Sequence, residues 1–385
     1  MNNKVVHIVV NSFDNDSRVI RECKSLSENG NDLTVIAYLE EGMLERESNY
    51  GFNTIRIKLF TKKWPNHPFL QVFKYIEFLI RTLFTIKSIK PDICHGHDPD
   101  GLIIAYFVKL IYKCQLIYDS HELWAYSNHM RNYNNILYKI GRGIEKIIIS
   151  KSDAVITVSN SIAKVIQSEN NVSNISIIRN MPEIITEDYH FSREDFQFPE
   201  CNNIIIYVGN VVNGRGINNL IQAMTNVQDD IGLVIMGRES PYRRKMIDRV
   251  DELQLTNRIS FVDAVRSEQV VSVCKLANAG IISSRNVCES YYLCLPNKIF
   301  EYIQAGIPVL CSEFPEMKNV IQHYHVGLTF NPDNPIHIAR KINEIFVAED
   351  KYIGFCDASV EAAKILNWNN EQAKLFAVYN QHEVI

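Results

Sequence analysis

Short continuous apolar runs alternate along the chain with longer stretches whose apolar residues recur every three or four positions. The run VVHIVV (5–10) leads through the polar loop NSFDND into a helix. That helix puts Ile20, Cys23 and Leu26 on one face and ends at Gly30, before a second apolar run at Leu33–Ala37. FNTIRIKL predicts a further strand, 69–89 a long amphipathic helix, and PDICHGH a strand that opens into a polar loop. GLIIAYFVKLIYK reads as a helix, QLIYDSHE as a strand and 134–150 as a helix, with AVITVS and ISIIRN completing the series. Apolar strands separated by helices predict a parallel, doubly wound α/β sheet, whose strands are covered on both faces.

The alternation stops at NMPEIITEDYHFSREDFQFPECNN (180–203), which lacks periodicity and is rich in Pro and acidic residues, as a linker is. It then restarts. NIIIYVGN is a strand, 216–226 a helix, IGLVIMGR a strand, 241–253 a helix and RISFVDAV a strand, followed by AGIISSR, PVLCSE and VGLTF with its following helix. Before PVLCSE lies LPNKIFEYIQAGIPVL (295–310), where Pro296 predicts a first helical turn, and Gly306 and Pro308 its end. Ile299, Phe300 and Ile303 form its packing face; Asn297, Lys298 and Glu301 are either a solvated face or groups aimed at an anionic ligand. A chain of 385 residues exceeds one core. Two Rossmann-like domains are expected, 1–182 and 200–366, facing each other across a cleft at the carboxyl ends of their strands.

Charge sharpens this division. Of the 40 Lys and Arg and 44 Asp and Glu, residues 1–182 hold 22 and 18, leaving 18 and 26 for the remainder. Residues 56–90 carry eight basic side chains and one acid, Glu77, a composition suited to anionic lipid, an anionic acceptor or nucleic acid. The nine cysteines show no C-x-x-C spacing, which fits buried thiols in a reducing compartment. The N-terminus has no secretory signal pattern, and the best candidate span, 69–90, is broken by Lys74, Glu77, Arg81 and Lys87.

Candidate chemistry collects at strand ends. In YVGNVVNGRGINNLIQAM a strand runs through Gly209 into a loop with Gly214 and Gly216 and then a helix, with Arg215 at the helix start. Such a loop lets backbone amides and a cation approach phosphate oxygens, or serves turn geometry alone. The dinucleotide and P-loop fingerprints are absent. The triplets DND (14–16) and DPD (98–100) resemble a metal-binding D-x-D pair, but each is read as a loop where Asp favours turns. HGHD (95–98) offers further ligand atoms without a complete set evident in the sequence. His121 follows a strand between Asp119 and Glu122, and Arg18 precedes Glu22 by one helical turn behind an Asp16 or Ser17 cap. No nucleophile elbow or catalytic Ser/Cys–His series is present.

In order, NDSRVIRECKSLSENGNDLTVIA, PDICHGHDPDG, LIYDSHEL, SDAVITVSNSIAKVI, YVGN…GRGINNLIQAM and LPNKIFEYIQAGIPVL resemble the retaining glycosyltransferases of family 4, in a branch with an L-P-N-K-x-F-E-Y motif. The resemblance spans nearly the whole chain and implies the GT-B fold, with the last helix (367–385, from Trp368) crossing back to the N-terminal domain. It implies a nucleoside-diphosphate-sugar donor held by Gly209, Asn210, Arg215, Gly237, Arg238, Glu289, Asn297, Lys298 and Glu301. Of these, Arg215, Lys298 and His121 would be catalytic, with Asp16, Ser17, Arg18, His97 and Asp98 on the acceptor side. Arg215 stands at the family's phosphate-binding Lys, and Glu301 at the second glutamate of its pair. Asn210 replaces a usual Arg, and Leu293 stands where the first glutamate belongs. The same resemblance implies no cofactor and no metal, a glycan or lipid-linked acceptor in bacterial surface polysaccharide or glycolipid synthesis, no nucleic-acid partner, and a cytoplasmic protein. Its basic aromatic segment FTKKWPNHPFLQVFKYIEFLIRTLF is either a peripheral contact with the inner membrane face or a core-packed helix with a solvated Lys face. Alternatives on this fold are a UDP-sugar 2-epimerase-type enzyme and a non-catalytic glycosyltransferase-like partner subunit.

Overall fold

A computed structural model describes residues 3–14, 16–65, 67–126, 136–184 and 189–380. Positions 134–135 of the expected helix, 185–188 of the expected linker and 381–385 of the expected last segment lie outside the described residues. The chain divides into two compact units, residues 1–179 with 372–385, and residues 180–371.

Unit 1 is built on strands β1 (Lys4–Ile8), β2 (Asp32–Tyr38), β3 (Arg46–Asn49), β4 (Phe52–Ile57), β5 (Ile93–His97), β6 (Gln115–Ser120), β7 (Ala154–Thr157) and β8 (Ile175–Ile177). Their order is β3-β4-β2-β1-β5-β6-β7-β8. Every pairing is parallel except β3 with β4. The inner strands β1, β2, β5 and β6 are buried almost throughout, as continuous apolar runs require. The antiparallel β3 is the polar segment RESN and mostly exposed, so no apolar pattern announces it.

Unit 2 carries β9 (Asn203–Val208), β10 (Ile231–Met236), β11 (Ile259–Val262), β12 (Ala279–Ile282), β13 (Val309–Ser312) and β14 (Gly327–Phe330), in the order β11-β10-β9-β12-β13-β14, all parallel. Alternate residues of β9 feed separate cores. Ile204, Ile206 and Val208 pack with Ile299, Phe300 and Tyr302, whereas Ile205 and Tyr207 pack with Ile217, Leu220 and Ile221.

The helix in LPNKIFEYIQAGIPVL covers Asn297–Gln304, with Pro296 at its cap position rather than in its first turn. It buries Tyr302 in addition to Ile299, Phe300 and Ile303. The Tyr302 hydroxyl accepts from the Val208 amide at 3.0 Å and donates to the Ile281 carbonyl at 3.3 Å. These bonds pin the helix across β9 and β12 and fix which way its polar residues point.

Candidate active site

In unit 2 the strand-end loop after β9 and the amino end of the Asn297–Gln304 helix meet. Gly209 has φ +134°, and a Cβ built there would lie 2.2 Å from Lys298 Cε and 2.7 Å from Nζ. Only glycine lets the lysine lie across this backbone. Gly216, at φ +74°, sits so close to β12 that a Cβ would reach the Ser283 carbonyl oxygen at 1.8 Å. Between them Arg215 lays its guanidinium over the Tyr291 ring, 4.3 Å from the centroid, while its carbonyl accepts from the Ser283 hydroxyl at 2.9 Å. Burial pulls the Lys298 ammonium below its ordinary range, and the neighbouring Arg215 charge pulls it further, against the Glu301 carboxylate. Two cations held close together, each lowering the other's comfort, are what a bound polyanion relieves.

The remaining donor-side candidates divide. Gly237 lies against the Gly209 carbonyl, and the Asn210 carbonyl accepts from Tyr207 Oη at 3.0 Å. Asn297 and Glu301 are half-buried on the same short helix as Lys298, whereas Asn210, Arg238 and Glu289 are exposed. The segment around Glu289 contains the helical turn Glu289–Leu293. Glu289 and Leu293 therefore stand one turn apart on one face.

In unit 1 the helix Ser17–Glu28 begins under an Asp16 cap, whose carboxylate accepts from the Val19 amide at 3.3 Å. Ser17 is its first residue. Arg18, expected toward an acceptor, is instead turned inward and only 3% exposed. Its guanidinium forks onto both oxygens of Asp119 at 2.8 Å, donates to the Ile178 carbonyl at 2.9 Å and lies 3.1 Å from Glu22. A buried carboxylate this well paired is held well below its usual range: burial raises it, but Arg18 and His121 prevail. The DPD triplet, expected in a loop, forms the first turn of the helix Asp98–Tyr112, where its acids complement the helix dipole. His121 Nε2 lies 3.0 Å from Asp119 Oδ2, and Nδ1 3.4 Å from Asp98 Oδ2. Burial disfavours the imidazolium, but these two carboxylates outweigh it and push His121 up to about 10. His97 is buried beside them, its Nδ1 3.1 Å from His121 Nε2.

Residues 17–181 match the family described as Glycosyltransferase Family 4, and residues 188–355 match Glycosyl transferases group 1. The chain is a glycosyltransferase of the GT-B type. This glycosyltransferase is 26% identical over 271 residues to the chitobiosyldiphosphodolichol beta-mannosyltransferase of Candida albicans. That alignment takes in 64% of the chain and 58% of the relative, so the chain spans less than two thirds of that relative's length. Among solved structures, sucrose-phosphate synthase from Thermosynechococcus elongatus superposes with TM-score 0.82 at 17% identity, covering 98% of each chain. HepE from Anabaena, solved in complex with UDP and glucose, superposes with TM-score 0.77 at 13% identity, over 99% of this chain and 100% of that one.

Reading the glycosyltransferase from sequence missed Tyr291, the platform under Arg215, because an aromatic in a short helix carries no pattern of its own. It also missed His7 and Glu22, which join His95 and His97 in one buried group. A histidine inside the otherwise apolar run of β1 was the signal available for that group.

Proposed function

We propose that this glycosyltransferase moves a sugar from a nucleoside diphosphate to a hydroxyl of a glycan or lipid-linked acceptor, with retention of the anomeric configuration. The observation that supports this reading is the convergence of Arg215, Lys298 and the amino end of the Asn297–Gln304 helix. As the bond from the anomeric carbon to the diphosphate oxygen breaks, negative charge grows on the leaving group. Two fixed cations and a helix dipole stabilise that charge without a metal at the diphosphate. Glu301, one turn after Lys298, takes the ribose hydroxyls, and Glu289, on the face of Leu293, takes the place of the missing first glutamate. The acceptor oxygen bonds to the anomeric carbon on the side the diphosphate leaves, and its proton passes to a phosphate oxygen. His121, kept protonated by a carboxylate facing each ring nitrogen, serves as a fixed positive charge rather than as a base.

The acceptor class rests on the relative that acts on a dolichol-linked sugar and on one surface of unit 1. No helix among the described residues is long and apolar enough to cross a membrane. The helix Pro68–Ile86 and the turn before it nevertheless expose Phe60, Trp64, Phe69, Phe73 and Phe84. Several of these line a groove of 970 Å³ with Arg46, Lys58 and Arg81 beside Glu45 and Glu77; Arg56, also in the lining, is buried and paired with Glu47. An apolar strip edged by cations suits an anionic lipid surface, and we place the acceptor's lipid there.

The relative's name specifies a β-linked product, which favours a second reading. If the donor is α-linked, a β product means inversion, and a base is then required. Transfer from a purified α-linked donor, with the product anomer read by NMR, separates the two: an α product supports retention, and a β product replaces it with inversion.

A further inference from the structure

Strands β1 and β5 pair in a register that sets His7 beside His95, and His97 follows two residues on, on the same face. The three imidazoles pack with centroids 4.4 Å apart for His7–His95 and His95–His97, and 5.0 Å for His7–His97. Glu22 reaches the same point from the helix Ser17–Glu28. One ligand atom from each of the four lies within 4.8 Å of the others, and none of the four residues is more than 3% exposed. Both Glu22 carboxylate oxygens and His95 Nε2 are buried without a hydrogen-bond partner, although Arg18 Nε approaches Glu22 Oε1 at 3.1 Å. Buried polar atoms in this condition call for an explanation, and an unplaced ion is one of the standard ones.

The opposite ring nitrogens are already taken. Tyr379 Oη lies 3.0 Å from His7 Nε2 and 2.7 Å from His95 Nδ1, and Asp119 Oδ2 lies 3.4 Å from His97 Nδ1. Metal-ligating histidines are held this way, one nitrogen on the ion and the other oriented by an oxygen. We propose that His7, His95, His97 and Glu22 form a closed four-ligand site for a divalent cation of the zinc class. Three imidazole nitrogens and one carboxylate oxygen suit tetrahedral zinc, whereas magnesium and calcium prefer all-oxygen shells. His7 Nδ1 and His97 Nε2 stand 2.8 Å apart; ligands of a tetrahedral zinc are about 3.3 Å apart, so that pair opens by about half an ångström on loading. Asp119 stays outside the shell, committed to Arg18. With four protein ligands the ion has no open position and is structural. It joins β1, β5 and the first helix, and through Tyr379 it secures the chain's return to unit 1. Its ligands are separate from the unit 2 cations assigned to the diphosphate, so loss of metal and loss of nucleotide binding are distinguishable.

The full chain, made in zinc-supplemented medium and freed of any histidine tag, is assayed by inductively coupled plasma mass spectrometry after gel filtration. The expected result is about one zinc per chain, with cobalt-substituted protein showing tetrahedral d–d absorption in the visible. Glu22→Gln and His95→Gln lose the ion, and Tyr379→Phe, a positioning change, weakens it roughly 10- to 100-fold. Should the ligand variants fail to fold, the wild type decides alone: chelation lowers its Tm and zinc restores it. Folded wild-type protein without stoichiometric metal, giving no tetrahedral cobalt spectrum and no Tm response to chelator, overturns the proposal.

Discussion

Lys298 lies directly across Gly209, with its Cε and Nζ occupying the space where any other residue at 209 would carry its Cβ. The first strand-end loop of unit 2 and the helix Asn297–Gln304 thus form one surface, and a change in the loop reaches the lysine without touching it. Gly209→Ala is expected to displace the ammonium and strain a backbone at φ +134°. Loss of one charge-assisted contact of roughly 1.5–3 kcal/mol weakens nucleoside diphosphate binding about 10- to 100-fold. Calorimetric titration reads the loss, and circular dichroism checks that the fold survives. Unchanged affinity would remove Lys298 from the binding surface.

The lowered pKa of Lys298 carries a pH dependence. A bound diphosphate favours the charged lysine and raises its pKa back toward the ordinary value. On the acid side the lysine is charged in both states and affinity is flat. As pH rises through the lowered value toward 10.5, binding must draw a proton from solvent, so affinity falls. Titrations in buffers of different ionisation enthalpy should show net proton uptake in that window. Lys298→Arg should abolish the uptake.

In unit 1 the buried pair of Arg18 and Asp119, 3% and 0% exposed, leaves little tolerance for a missing partner. Asp119→Asn strands the guanidinium beside Glu22 and is expected to cost about 3–5 kcal/mol of stability. Urea unfolding measures this. A loss below about 1 kcal/mol would place the pair in the range of ordinary surface ion pairs.

The aromatic strip on Pro68–Ile86 should bring the protein to vesicles rich in anionic lipid and not to neutral ones. Phe73→Ser with Phe84→Ser should abolish flotation, and salt should weaken it. Flotation equal on neutral vesicles would remove the anionic preference, and none on either would leave the strip without a lipid partner.

The parallel sheets were legible because buried parallel strands are continuous apolar runs, and VVHIVV, NIIIYV and IGLVIM can hardly be anything else. Strand β3 was not, since RESN pairs only at an edge and carries no apolar pattern. The helix Glu349–Ala363 also escaped, its apolar face interrupted by Gly354 and acidic residues. At the candidate site, the glycine spacing and the charges of NKIFE were legible as either turn geometry with a solvated face or a surface for an anionic ligand. What spacing alone cannot convey is register. His7 and His95 are 88 residues apart and become neighbours only because β1 pairs with β5. Arg18 was legible only as a partner for Glu22 or an acceptor-side group, because Asp119, 101 residues on, reaches it only through β6.

Unit 2 is proposed to hold a nucleoside-diphosphate-sugar through Arg215, Lys298 and Glu301. Calorimetric titration of the folded protein against UDP-, GDP- and CMP-sugars tests it most directly, repeated on Arg215→Ala and Glu301→Ala. A nucleoside diphosphate sugar is expected to bind the wild type, and each substitution to weaken it about tenfold or more while leaving the fold intact. Binding of neither a UDP- nor a GDP-sugar to folded wild-type protein, or equal binding by both variants, would contradict it.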